Sequence, residues 1–211
     1  IKEVSKITTI VGSPSITENG EVSDFSDSNY LYFNTDLAVG GISNFEMVMA
    51  FNLTSTYNGQ AIYGSGYMKI LLNNSDKLRL LVIDGRYTRV ELIGTTTIEH
   101  GVKYYVKIAY DSSVGYSMFT STDGTEWTSE GQYTSWKSNP YQINGRIGHE
   151  YSSNGYYFRG KVYLDECYFI KQTIRAWSGM EVNNPSAVVY GQNLLMNETG
   201  EIKNFSSSDW L

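Results

Sequence analysis

Along much of the chain, apolar and polar residues alternate with a period of two, the repeat of a strand that buries one face. In FEMVMAFNL, Phe45, Met47, Met49, Phe51 and Leu53 share one face, and Glu46, Val48, Ala50 and Asn52 share the other. The first set is expected to be inner core and the second to face outward. YMKILL (67–72) and KLRLLVI (77–83) flank the turn formers NNSD and read as a hairpin. Asp84-Gly85 then turns the chain into RYTRVELI, where Val90 and Leu92 oppose Arg89 and Glu91. KYYVKIAYD (103–111) and GYSMFTSTDG (115–124) form a second hairpin. Asp123-Gly124 there supplies the positive backbone angle of a tight two-residue turn, and Trp127 leads into a further strand. GRIGHEY and FRGKVYLDECYFI read as a turn, a short strand and one long closing strand. No long window keeps the helical period of about 3.6 residues free of Gly and β-branched runs. Strands recurring every 8–12 residues or so predict an all-β fold, a two-sheet antiparallel β-sandwich of the jelly-roll type.

Composition sharpens this picture. With 211 residues there is room for one sizeable core and not for a second complete domain, and 18 Tyr and 20 Gly beside only 3 Pro suit strands punctuated by turns. The net charge of −6, with no run of Lys or Arg, excludes a nucleic-acid partner. No segment approaches the roughly 20 consecutive apolar residues of a membrane-spanning helix, so membrane insertion is not expected. The opening IKEVSKITTIVG has neither an apolar signal core nor an initiator Met, which predicts a slice of something larger. A lone Cys167, in YLDECYFI, allows no internal disulfide and is expected to pack as a small hydrophobe, compatible with assembly in a reducing cytosol.

One motif is written twice. Gly20–Leu31 reads GEVSDFSDSNYL and Gly200–Leu211 reads GEIKNFSSSDWL, 180 residues further on. Upstream, ITTIVG (7–12) parallels SAVVYG (186–191), with one extra residue before Gly200. The expected organisation is a module over residues 1–177 and a connecting segment over 178–192, in which the upstream likeness has begun by residue 186. Residues 193–211 are then the start of a second repeat or an attached C-terminal strand.

The opening GSPSITENGEVSDFSDSNYLYF, the strand FEMVMAFNL, the IEHGVKYYVKIAYD hairpin leading to STDGTEW, and the ending GRIGHEY, FRGKVYLDECYFI and AW together resemble concanavalin A-like, laminin G-type jelly rolls. They are most similar to those repeated in bacteriophage tail, fibre and other virion proteins, and the resemblance covers about residues 7–177. It implies a sandwich with one concave sheet, in proteins that often bind glycans and sometimes hold calcium at a rim. For phage versions it also implies exposure on a virion.

Laminarinase-type hydrolases share the jelly roll, but they carry Glu-x-Asp-x-x-Glu, which the sequence lacks. Asp165 and Glu166 are adjacent, so a regular strand would point them to opposite faces, away from the carboxylate pair that glycoside hydrolysis needs. His100, in IEHGV, and His149, in GHEYSS, accompany no nucleophile signature and read as turn or surface residues. Two His and one Cys far apart do not make a zinc site. Calcium needs six to eight oxygen ligands, to which Asn73, Asn74 and Asp76, or Asp111, Ser112 and Asp123, could contribute, although turns favour the same residues for backbone reasons. Glycans offer apolar ring faces and hydroxyls, which suit aromatic platforms beside polar loops. Three such places occur: Tyr57, Tyr63 and Tyr67; Arg86 and Tyr87; and Tyr151, Asn154, Tyr156 and Tyr157. Tyr104, Tyr110 and Tyr116 are assigned to packing.

The expectation is therefore a non-catalytic module of the virion surface or tail, assembled in the host cytoplasm. It would bind host cell-surface carbohydrate, contact other virion proteins, work within a homo-oligomeric assembly and need no cofactor other than calcium. A purely structural decoration or spacer, and a carbohydrate-binding module of a secreted bacterial adhesin or glycan-processing enzyme, are the alternatives carried by the same fold.

Overall fold

A computed structural model describes residues 8–33, 44–57, 59–84, 87–138, 140, 145–150 and 156–173, with the strands 186–190, 195–196 and 202–203. Two antiparallel sheets stack face to face. The first, sheet A, runs in the order β1 (Thr8–Val11), β4 (Tyr30–Phe33), β13 (Gly145–Ile147), β6 (Gln60–Ser65), β7 (Met68–Leu72), β8 (Lys77–Asp84) and β9 (Tyr87–Thr97). The second, sheet B, runs β12 (Thr128–Tyr133), β11 (Gly115–Ser121), β10 (Lys103–Asp111), β5 (Asn44–Leu53), β14 (Gly160–Tyr163), β3 (Glu21–Ser23) and β2 (Ser15–Ile16). β15 (Tyr168–Thr173) also pairs with β5, and β16 (Ser186–Tyr190) pairs with β15; β17 (Leu195–Met196) and β18 (Ile202–Lys203) pair with each other.

The hairpins read from the sequence form β7–β8 and β10–β11, in the expected place and sense. Phe45, Met47, Met49, Phe51 and Leu53 are buried between the sheets against Ile70, Leu80, Val106, Ile108 and Met118. Val48 and Ala50, expected on the outer face, are buried as well. The register explains this: Ala50 lies beside Tyr105, and Val48 lies between Lys107 and Tyr168, whose long side chains cover such short neighbours.

Two expectations of local geometry are corrected. The closing strand is not continuous, because a 3-10 turn at Leu164–Glu166 divides it into β14 and β15. Cys167 repairs the interrupted ladder: its buried thiol accepts the Ala50 N–H at 3.3 Å and donates to the Tyr163 carbonyl at 3.2 Å. The β11–β12 connection is longer than a two-residue turn. Gly124 does take a positive φ of 78°, but Asp123 caps the loop, accepting the N–H groups of Thr125 at 2.7 Å and Glu126 at 2.9 Å.

The edge strands β9 and β12 meet through Glu130, which is 4% exposed. One of its carboxylate oxygens accepts the N–H groups of Thr95 and Thr96 at 2.6 and 3.0 Å and the Thr95 hydroxyl at 3.0 Å; the other accepts the Thr120 hydroxyl at 2.6 Å. The register places both Thr8 and Thr173 at the end of the sandwich where β10 turns into β11.

Candidate functional site

At the opposite pole, the β5–β6, β7–β8, β9–β10 and β11–β12 connections gather with the residues preceding β14. Buried Gln60 ties two of these together, donating from Nε2 to the Ser55 carbonyl and accepting the Arg159 N–H at Oε1, both at 2.7 Å. Thr54 adds its N–H and hydroxyl to the Arg159 carbonyl, at 3.0 and 2.8 Å. Thr56 donates to Asp76 at 2.6 Å, and His100 Nε2 lies 3.1 Å from both.

This frame presents Tyr57 and Tyr156, which are 42% and 40% exposed. The Arg159 guanidinium stands 4.0 Å over the Tyr57 ring and 5.5 Å from that of Tyr157. The Tyr156 ring rests on Gly59, where φ is +79° and a side chain would overlap the ring. Beside them runs a groove of about 370 Å³, lined by Ser23, Asp24, Thr54, Tyr157, Arg159 and Lys161 among others. Among the described residues no carboxylate lies within ion-pair distance of Arg159, whereas Lys161 is spent on Glu21 at 3.0 Å. Flat aromatic faces beside an uncommitted planar cation suit a ring with one apolar face and polar or anionic substituents.

The sequence-derived candidates therefore separate. Tyr57, Tyr156 and Tyr157 come together, while Tyr67 and the exposed Tyr87 lie at the other pole. Tyr63 is corrected: it is 1% exposed inside the core, and burial pushes its hydroxyl pKa well above the usual phenol range, so it packs and does not face a ligand. Arg86, Tyr151 and Asn154 lie outside the described residues. Tyr104, Tyr110 and Tyr116 are buried, as expected of packing residues. Sequence reasoning missed Arg159, which reads as part of a strand; the signal was its place in YYFRG, two residues after Tyr157.

A second aromatic and cationic surface covers the outer face of sheet B. Lys107 lies 4.1 Å from the Trp127 ring and 5.1 Å from Phe119. Lys103 bonds both Glu166 oxygens at 2.9 Å, which raises its pKa, and Tyr105 donates to the same carboxylate. Burial opposes the charged form of Glu166, but these hydrogen bonds outweigh it and hold the carboxyl below its usual range. His149 is also corrected, from a surface residue to one 1% exposed, between Asp27 at 3.1 Å and Arg146 at 3.3 Å, with the buried Lys69–Glu150 pair alongside.

The carboxylates singled out from the sequence are turned to neighbours. Asp165 and Glu166 sit in the 3-10 turn and not on a strand; Asp165 packs against Gly20, while Glu166 reaches Lys103 and Tyr105. Of the calcium candidates, Asp111 and Asp123 stand at opposite ends of the β10–β11 hairpin and cannot share an ion. Asp111 accepts from Ser113, and Asn73 Oδ1 takes the N–H groups of Ser75 and Lys77, so each completes its own turn. Asp76 is turned to Thr56 and His100. No group of three or more His, Cys, Asp or Glu side chains placed to hold a metal ion occurs among the described residues.

No protein-family model matches the chain, and no curated protein matches it in sequence. Solved structures share its architecture. The exoplasmic/lumenal domain of VIP36, in a Ca2+/Man-bound form, is similar over 87% of this chain and 89% of that domain, at 11% identity and a TM-score of 0.55. The chain has the two-sheet antiparallel jelly-roll fold of that domain. The same jelly roll is similar to the receptor binding domain of botulinum neurotoxin C/D mosaic serotype at 11% identity and a TM-score of 0.54, over 74% of this chain and 42% of that one, so it spans under half that domain's length.

Proposed function

We propose that this protein is a non-catalytic carbohydrate-binding module whose ligand seats on Tyr57, Tyr156 and Tyr157 with Arg159 as its polar anchor. One observation carries the reading: a guanidinium stacked on an exposed tyrosine at 4.0 Å, beside an open groove and with no described carboxylate within ion-pair distance. Stacking supplies contact with a sugar ring, and the guanidinium supplies oriented donors for hydroxyls or a carboxylate. The shared fold with a domain solved in a mannose-bound form supports the same reading. The biological setting proposed is attachment to a host surface from the exterior of a virion or its tail. The resemblance of the turns and core to virion modules supports that setting. So does the sequence repeat, since linked weak sites raise avidity by roughly 10²–10⁴.

A glycan array and titration calorimetry on the whole chain, with and without calcium, test the proposal. Tyr57→Ala and Arg159→Ala are each expected to weaken binding at least about tenfold, which is about 1.4 kcal/mol, while the melting temperature stays within a few degrees. An array blank to millimolar sugar in both conditions, or binding indifferent to both substitutions, overturns it. Capture of virion proteins in place of glycan would favour the architectural alternative.

A further inference from the structure

The C-terminal strands repeat the N-terminal ones in pairing as well as in sequence. In the first copy Ser15 pairs with Ser23 and Ile16 with Val22. Displaced by 180 residues, the same register recurs: Leu195 pairs with Lys203 and Met196 with Ile202. β16 falls where SAVVYG matches ITTIVG, the segment that holds β1. Three residues separate β1 from β2 and four separate β16 from β17, which locates the extra residue of the second copy between its first two strands. The order β1–β2–β3 is thus written again as β16–β17–β18.

The two copies of the first strand use different partners. β1 pairs with β4 and, among the described residues, has nothing on its other edge. β16 pairs with β15. An antiparallel strand carries hydrogen-bonding groups on both edges, so one strand can hold both partners at once. TTIV has no Lys, Pro or bulge to protect an exposed edge, and Ile10 is 55% exposed.

We infer that β16–β18 are the first strands of a second copy of this module, and that the linking strand belongs to both copies. It closes sheet B of one along β15 and opens sheet A of the next along its β4. The free edge of β1 is then the seat for the β15 of a preceding copy, and the partner of this surface is another copy of the same module.

Disulfide trapping tests this. Adjacent antiparallel pairs alternate between hydrogen-bonded and non-bonded geometry, and one of two successive pairs is close enough to bridge. In the whole chain, Lys171→Cys with Val188→Cys, or Gln172→Cys with Ala187→Cys, is expected to close an intramolecular bridge. By the repeat, Val188 corresponds to Thr9 and Ala187 to Thr8. When Val188→Pro and Val189→Pro free the edge of β15, Thr9→Cys with Lys171→Cys, or Thr8→Cys with Gln172→Cys, is expected to yield head-to-tail covalent oligomers. Circular dichroism checks that each variant keeps its strands. Folded chains that close no intramolecular bridge, or oligomers no more abundant than with the mismatched Thr9→Cys and Gln172→Cys, would overturn the inference.

Discussion

Glu130 is the residue whose chemistry is most directly testable. Burial works against its charge, yet hydrogen bonds from Thr120, Thr96 and Thr95 prevail and bring its pKa from 4.5 to about 2. A carboxyl depressed in the folded state contributes stability above pH 4.5, and that contribution is lost as the pH falls toward 2. Glu130→Gln is expected to cost on the order of 2–3 kcal/mol at pH 7, by urea denaturation, with the gap to the parent closing as the pH approaches 2. A gap that does not change with pH would refute the assignment. Cys167 makes a second case: burial pushes its thiol up to about 12, so alkylating reagents at pH 8 should label it only as fast as the protein unfolds. Gln60→Leu would leave the Ser55 carbonyl and the Arg159 N–H without their shared partner. It is expected to cost about 1–3 kcal/mol and to loosen sugar binding, both read by calorimetry.

Among the elements, the strands were legible because alternation and turn residues act over neighbours in sequence. KYYVKIAYD became β10 without adjustment, and NNSD closed β7–β8. The division of the closing strand was not legible, since YLDECYFI has no Gly, Pro or Asn to mark a turn, and the contact that bridges the break joins Cys167 to Ala50, which is distant in sequence. Three of the four residues of the candidate site, Tyr57, Tyr156 and Tyr157, were visible for the same reason. Tyr57 and Tyr156 announced themselves as aromatic loop residues, but nothing in FRGKVY reveals that Arg159 stacks on a tyrosine a hundred positions away. The start of β14 gives a further test. A side chain at Gly160 would overlap the Asn52 carbonyl, whereas one at Gly66 meets nothing within 4 Å. Gly160→Ala should therefore cost about 1–3 kcal/mol in chemical denaturation and Gly66→Ala much less.

At the scale of the whole molecule, the hydrophobic core lies within the sandwich that closes at β15, and β16 adds one more edge strand. Removing residues 186–211 is expected to shift the melting temperature by less than about 4 °C, in line with the loss of one peripheral strand. A drop well beyond that would mean that the tail belongs to the fold of the first module.

The direction of β16 has a geometric consequence for a string of modules. It sets out from Ser186, level with Thr173, and runs toward the middle of β5, the same sense in which β1 runs from Thr8. If that strand founds the next unit, successive units stand side by side like the teeth of a comb, with their chain links along the spine and every Tyr57–Arg159 tip pointing the same way. A flat, densely sugared wall would then meet many tips in one landing.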